Sequence, residues 1–246
     1  MQVQIARVVA LGASNLTRAL TAFVTVARNA WGPEVQVLAA AGHGRSYGSP
    51  SRVGFRTLPG ILESGLWREL ESHSPVPTRA LVSDVGNDIL YGSPAGQILA
   101  WVEDALNRLQ RITRDIILTN LPLTTIGRLS PAKFLVFRSI LFPSSRLSLS
   151  RVLETARQVD AGIAELASAH NTRLARLNPA WYGIDPIHFR RSRWRPAWEE
   201  ILDVRCPIGA PGSLMEGLKL HWMPPERRWL FGVEQFTPQS GLIRLY

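Results

Sequence analysis

Four short stretches hold residues whose types could act together on one substrate. Ser14, in "VVALGASNLTRAL" (8–20), stands where an apolar run meets Gly-Ala-Ser and an amphipathic pattern opens. Its hydroxyl can cap the helix that follows by accepting a first-turn N–H, and serine is among the commonest caps. It can equally be a nucleophile held at the end of a strand. In "GIDPIHF" (183–189), Asp185 precedes His188 by three residues in a stretch containing Asp-Pro, a turn-forming pair. A tight turn brings such a carboxylate against one imidazole nitrogen and leaves the other for a cleft. That is the orienter and base a serine nucleophile requires, although a structural turn with a surface histidine has the same spacing. Asn87 in "SDVGNDILYG" offers an amide that can donate to a developing oxyanion, or simply a turn after a strand. Gly44 in "AGHGRS" offers an unobstructed backbone N–H for the same purpose, or a turn with positive φ. Acting jointly, the four would perform acyl transfer.

These residues need elements to bring them together. "IARVVALG" (5–12) is rich in branched residues and ends in glycine, so it reads as a buried strand. Leu16, Ala19, Leu20, Phe23, Val24 and Ala27 then recur at helical spacing. Further strands are expected at 35–41, 79–85, 115–123 and 172–178, with helices around 60–73, 98–109, 152–166 and 196–202. A glycine-rich loop follows the second strand. Such alternation predicts a three-layer α/β/α fold around a central five-stranded parallel sheet, for which the flavodoxin-like order 2-1-3-4-5 is the common one and the order taken here. The first and third strands are then neighbours at the switch point, where ligands bind beyond the C-terminal strand ends. Ser14 follows the first strand, Gly44 the second, Asn87 the third, and Asp185 with His188 the fifth. All of them reach one crevice.

In this order and at these strand ends, the stretches resemble the SGNH, or GDSL-type, hydrolase family. Gly12-Ala13-Ser14 is similar to its Gly-Asp-Ser block, which implies Ser14 as nucleophile. The family's second block supplies a glycine N–H to the oxyanion hole, which falls on Gly44 with Gly42 as the alternative. Val85-Gly86-Asn87-Asp88 answers to Gly-x-Asn-Asp and gives the amide role to Asn87. Asp185-Pro186-Ile187-His188 matches Asp-x-x-His in full. The resemblance covers about residues 5 to 203 and implies a carboxylic ester hydrolase, an esterase or deacylase working through an acyl-Ser14 intermediate. The implied catalytic residues are Ser14, Asp185 and His188, and the implied oxyanion donors are Ser14, Gly44 and Asn87. Ala13 and Val85 depart from the pattern without removing a proposed catalytic group, which points to a divergent branch. On this reading Ser14 both caps its helix and attacks the substrate.

The bulk properties narrow the field further. The chain has 246 residues, 46% of them hydrophobic and 19% charged, in the ordinary range of globular proteins. No stretch approaches a membrane span, and the N-terminal apolar run leads straight into Gly-Ala-Ser, so it reads as a strand and not a leader. With Cys206 as the single cysteine, no intrachain disulfide can form. The expected location is the cytoplasm. No cofactor is expected, and no histidine, cysteine or carboxylate cluster suggests a metal. The partner is a small-molecule ester. The charge of +9 raises nucleic acid or an anionic surface as a competing class. Its densest cluster, "FRRSRWR" (189–195), also reads as a solvated helix start, and no zinc-finger or RNA-binding motif accompanies it. A catalytically weak binding protein on the same scaffold is the other competitor. The division expected is a hydrolase-like domain over 1–203 and an extension over 204–246, whose Pro, Gly and aromatic texture predicts hairpins packed on the domain. "AKFLVFRSILFPSSRL" (132–147), after the fourth strand, is more apolar than a solvated loop requires. It is expected either as a short buried helix or as an apolar wall in which Phe134 and Phe137 bind substrate.

Overall fold

The computed structural model describes residues 5–141, 145–205 and 214–246. Its ten strands, in chain order, are β1 (Arg7–Leu11), β2 (Gln36–Ala40), β3 (Ser51–Val53), β4 (Arg56–Leu58), β5 (Thr78–Val82), β6 (Asp115–Thr119), β7 (Arg173–Ala175), β8 (Arg227–Leu230), β9 (Val233–Phe236) and β10 (Ile243–Leu245). The α-helices are α1 (Ser14–Arg18), α2 (Leu20–Trp31), α3 (Leu66–Ser72), α4 (Asn87–Leu90), α5 (Ala95–Gln110), α6 (Leu123–Ile126), α7 (Pro131–Leu141), α8 (Leu149–Ala169), α9 (Trp194–Leu202) and α10 (Leu214–Trp222).

The main sheet runs β10-β2-β1-β5-β6-β7, every pair parallel. Its last five strands have the expected 2-1-3-4-5 order. The sixth strand, β10, comes from the C-terminal region and lies outside β2, so the sheet is one strand wider than the sequence suggested. β10 has only Ile243, Arg244 and Leu245 to display, too few for a periodic signal. All five residues of β1 are buried because helices cover both faces. Alternation sends Val9 and Leu11 into one core, with α3, α5 and α8, and Val8 and Ala10 into the other, with α2 and α9. In the second core Phe23 meets Trp198 edge-on, with ring centres 5.2 Å apart.

A second, antiparallel sheet has the order β3-β4-β8-β9. It joins the glycine-rich loop after β2 to the C-terminal region, so that loop holds a hairpin which the sequence reading treated as irregular. Among the described residues, no helix is long and apolar enough to cross a membrane. The 132–147 segment is helical as α7 over Pro131–Leu141, with Phe134 buried. The side chain of Phe137 and residue Phe142 lie outside the described residues.

Candidate active site

A cleft of about 110 Å³ opens at the C-terminal ends of β1, β5, β6 and β7. Ser14, Asn87 and His188 line it, together with Asn15, Asp84, Asn120 and Tyr182. The rest of the lining is mostly apolar, including Val85, Ile89, Leu121, Phe134 and Val152. A parallel sheet dictates this meeting place, since every strand delivers its following residue to the same edge.

Ser14 is the first residue of α1, and its Oγ accepts a hydrogen bond from the Gly44 N–H at 3.3 Å. Gly44 has φ +64, a conformation most residues resist, and Tyr91 Oη donates to its carbonyl at 2.6 Å. A Cβ added there would come 2.8 Å from Val53, so both backbone angle and space favour glycine. The carbonyl of Gly42, the alternative, accepts from the Arg45 N–H at 3.1 Å, while Gly44 supplies the N–H that meets Ser14.

His188 Nδ1 and Asp185 Oδ2 are 2.6 Å apart, and His188 lines the cleft. The other Asp185 oxygen accepts the Ile187 and His188 N–H groups at 3.1 and 3.2 Å, so one turn fixes both members of the pair. Partial burial disfavours the charged carboxylate. The hydrogen bond and charge of His188 outweigh it, aided by those two N–H groups, and hold Asp185 below the ordinary carboxylate range. Arg18, one turn beyond Ser14, stands 3.6 Å from Asp185.

One expectation is corrected. Ser14 does not cap its helix. The cap position belongs to Ala13, and the carboxylate of Asp84 reaches across from the end of β5. Asp84 Oδ2 accepts the N–H groups of Ala13, Asn15 and Leu16 at 2.9, 3.0 and 3.3 Å. The physical reason is that a carboxylate outcompetes a hydroxyl for a cluster of helix N-terminal donors. The exchange frees the serine hydroxyl.

Sequence reasoning missed Asp84 and Asn15. Asp84 Oδ1 accepts from Asn15 Nδ2 at 2.8 Å, and the same amide donates to the Ile187 carbonyl at 2.9 Å. Asn15 Oδ1 accepts the Phe189 N–H at 2.8 Å. Asn15 thus ties the turn that carries Ser14 to both sides of His188. Its signal was a polar residue among buried neighbours in α1. For Asp84 the signal was a carboxylate immediately beyond the strand beside β1.

Asn87 begins α4, and its Nδ2 makes one long hydrogen bond, 3.4 Å, to the Arg45 carbonyl. Asp88 next to it is buried and accepts from the Ser46 hydroxyl and, at 3.0 Å, the Tyr47 N–H. Burial pushes its carboxyl up to about 6 despite these two donors. Asp88 therefore fastens the loop after β2 to the one after β5. Tyr182 brings a different feature to the cleft. Its buried hydroxyl has no protein partner among the described residues, and burial pushes the phenol well above its ordinary range.

No protein-family model and no curated protein matches the chain. Solved structures do. A psychrotrophic esterase EstA from Pseudoalteromonas sp. superposes with TM-score 0.51 at 14% identity, over 80% of this chain and 95% of that one. An aryl esterase from M. smegmatis superposes with TM-score 0.53 at 14% identity, over 80% and 97%. In architecture, then, the chain has the fold of the SGNH, or GDSL-type, hydrolases, at a sequence distance that sets it well apart from these esterases.

Proposed function

We propose that the protein is a serine hydrolase that cleaves carboxylic esters through an acyl-Ser14 intermediate. One observation carries the reading: a serine hydroxyl that faces a backbone N–H and a histidine oriented by a carboxylate line one mostly apolar cleft. The esterase neighbours are consistent with it, and one of them, EstA, is described as inhibited by monoethylphosphonate.

His188, oriented by Asp185, takes the Ser14 proton as Oγ attacks the ester carbonyl. The tetrahedral oxyanion is met by the N–H groups of Ser14 and Gly44 and by the Asn87 amide. Donors held by the fold before charge develops need little reorganisation at the moment of reaction. The Ser14 N–H is available because Asp84 binds the N–H groups on either side of it and leaves that one out. His188 then protonates the leaving alcohol, and water repeats the cycle on the acyl-enzyme.

The test is active-site labelling with a fluorophosphonate, followed by peptide mapping and turnover of a panel of esters. Stoichiometric label on Ser14, absent from folded Ser14→Ala protein that turns over no ester, is the expected result. Ser14→Ala combined with His188→Ala should be little worse than either alone, since the two act as a unit. Wild-type turnover by a folded Ser14→Ala protein would overturn the proposal.

A further inference from the structure

Beside the loop that carries Gly44, the small antiparallel sheet ends in two adjacent turns. The first is Gly54-Phe55, between Val53 and its partner Arg56; the second is Phe231-Gly232, between Leu230 and its partner Val233. Phe55 and Phe231 stack with ring centres 4.6 Å apart, and the Phe231 N–H donates to the Phe55 carbonyl at 2.9 Å. Yet they are 66% and 75% exposed, so neither phenylalanine is there to fill a core. Val53 and Val233 beside them are exposed as well. Such a contiguous apolar tip is a feature that solvated turns do without.

Phe231 also sits where its backbone disfavours it. With φ +52 followed by Gly232 at +82, the turn is of the type that prefers Asn-Gly. The neighbouring turn puts glycine at its own positive-φ position, Gly54 at +58. A bulky residue kept in a strained conformation without burial points to a role outside folding.

The charge around the tip identifies what it meets. Of the four arginines in this sheet, Arg227 is ion-paired with Glu234, while Arg52, Arg56 and Arg228 donate to the neutral oxygens of Gly54, His43 and Gln235, on a chain of net charge +9. A symmetric contact with a second copy would set these arginines against one another. An anionic lipid headgroup layer complements them, while the phenylalanines enter the apolar region beneath. Position supports the same partner. Arg56 Nη2 donates to the His43 carbonyl at 3.4 Å, and Val53 packs where a Gly44 side chain would be, so the tip adjoins the loop bearing the proposed oxyanion donor.

We propose that the Phe55–Phe231 tip is a docking site for anionic membrane surfaces. The binding stands independently of the hydrolase reading; its use, to present apolar esters to the cleft, rests on that reading. The experiment is co-sedimentation of the full chain with vesicles of phosphatidylglycerol and phosphatidylcholine, and with phosphatidylcholine alone. Phe55→Ser combined with Phe231→Asn is compared with wild type. Wild type should bind the anionic vesicles, bind the neutral ones at least tenfold more weakly, and release the former at high salt. The double variant should lose at least tenfold in affinity for the anionic vesicles. Its melting temperature should not fall, because asparagine suits the turn, and Ser14 labelling and hydrolysis of a soluble short-chain ester should be unchanged. No binding by wild type, equal binding by the variant, or a variant that instead changes oligomeric state in sedimentation velocity would each overturn the docking. Vesicle binding without Ser14 labelling would overturn the hydrolase reading alone.

Discussion

Replacing Asp84 removes the group that holds the Ser14 turn together. Its carboxylate accepts four hydrogen bonds, three from backbone N–H groups at the start of α1 and one from Asn15. α1 has five residues, too few to persist without such capping. Loss of a helix cap costs about 1–2 kcal/mol, and donors left without partners in a half-buried site add a comparable amount, for a total of about 3 kcal/mol. Asp84 also has φ +58, which alanine tolerates less well than aspartate, adding about 1 kcal/mol. For a chain of this size, each kcal/mol lowers the melting temperature by roughly 2–4 °C, so Asp84→Ala should melt about 8–16 °C below wild type. Asp84→Asn keeps one acceptor and tolerates the backbone angle, and should fall about half as far. Because the Ser14 N–H and Oγ move with this turn, kcat/KM on a soluble ester should drop about 10²-fold in Asp84→Ala. Thermal unfolding and steady-state kinetics on both variants provide the check. An Asp84→Ala protein melting within 3 °C of wild type, with unchanged kcat/KM, would refute the reasoning.

Asn87→Ala should lower kcat on soluble esters by about 10²- to 10³-fold with little change in melting temperature, as removal of an oxyanion donor does; unchanged kcat would exclude that role. Asp88 makes stability depend on pH in a defined direction. Its carboxyl rises from 3.8 to about 6 on folding, so between these values the folded chain holds a proton the unfolded chain has lost, and stability falls as pH rises through the window. The full loss is about 3 kcal/mol, so the melting temperature of Asp88→Asn, relative to wild type, should climb from pH 4 to pH 7, and a flat difference would contradict the assignment. Phe134 lines the cleft, so kcat/KM should rise about fourfold per acyl methylene until the space is filled. Phe134→Ser should flatten that rise selectively on longer esters, and an unchanged chain-length profile would place the acyl group elsewhere.

Strands β1, β2, β5 and β6 of the parallel sheet were legible in the sequence because each lies in an apolar run ended by turn residues, a pattern that local physics dictates, whereas the fifth, at 172–178, carries two arginines and was the least marked. Alternation with helices pointed to a parallel sheet, and the order of the strands was expected as the common one for such a sheet. That order alone sends Ser14, Gly44, Asn87 and His188 to one edge of the sheet. Asp185 and His188 were readable as a pair because one turn spans them. What stayed hidden depends on contacts distant in sequence. Asp84 caps a helix that begins seventy residues earlier, and a carboxylate just beyond a strand does not by itself declare which helix it will cap. Ser14 looked like its own cap because, locally, serine is a good one; only the neighbouring strand brings the stronger acceptor. β10 is three residues long and becomes a strand by pairing with β2, which no periodicity within it could foretell. The stacked turns of Phe55 and Phe231 meet because β4 pairs with β8 across most of the chain. Sequence determines which segments are strands and which side chains could react. Tertiary structure decides which backbone donors are already satisfied, and so which hydroxyl is left free.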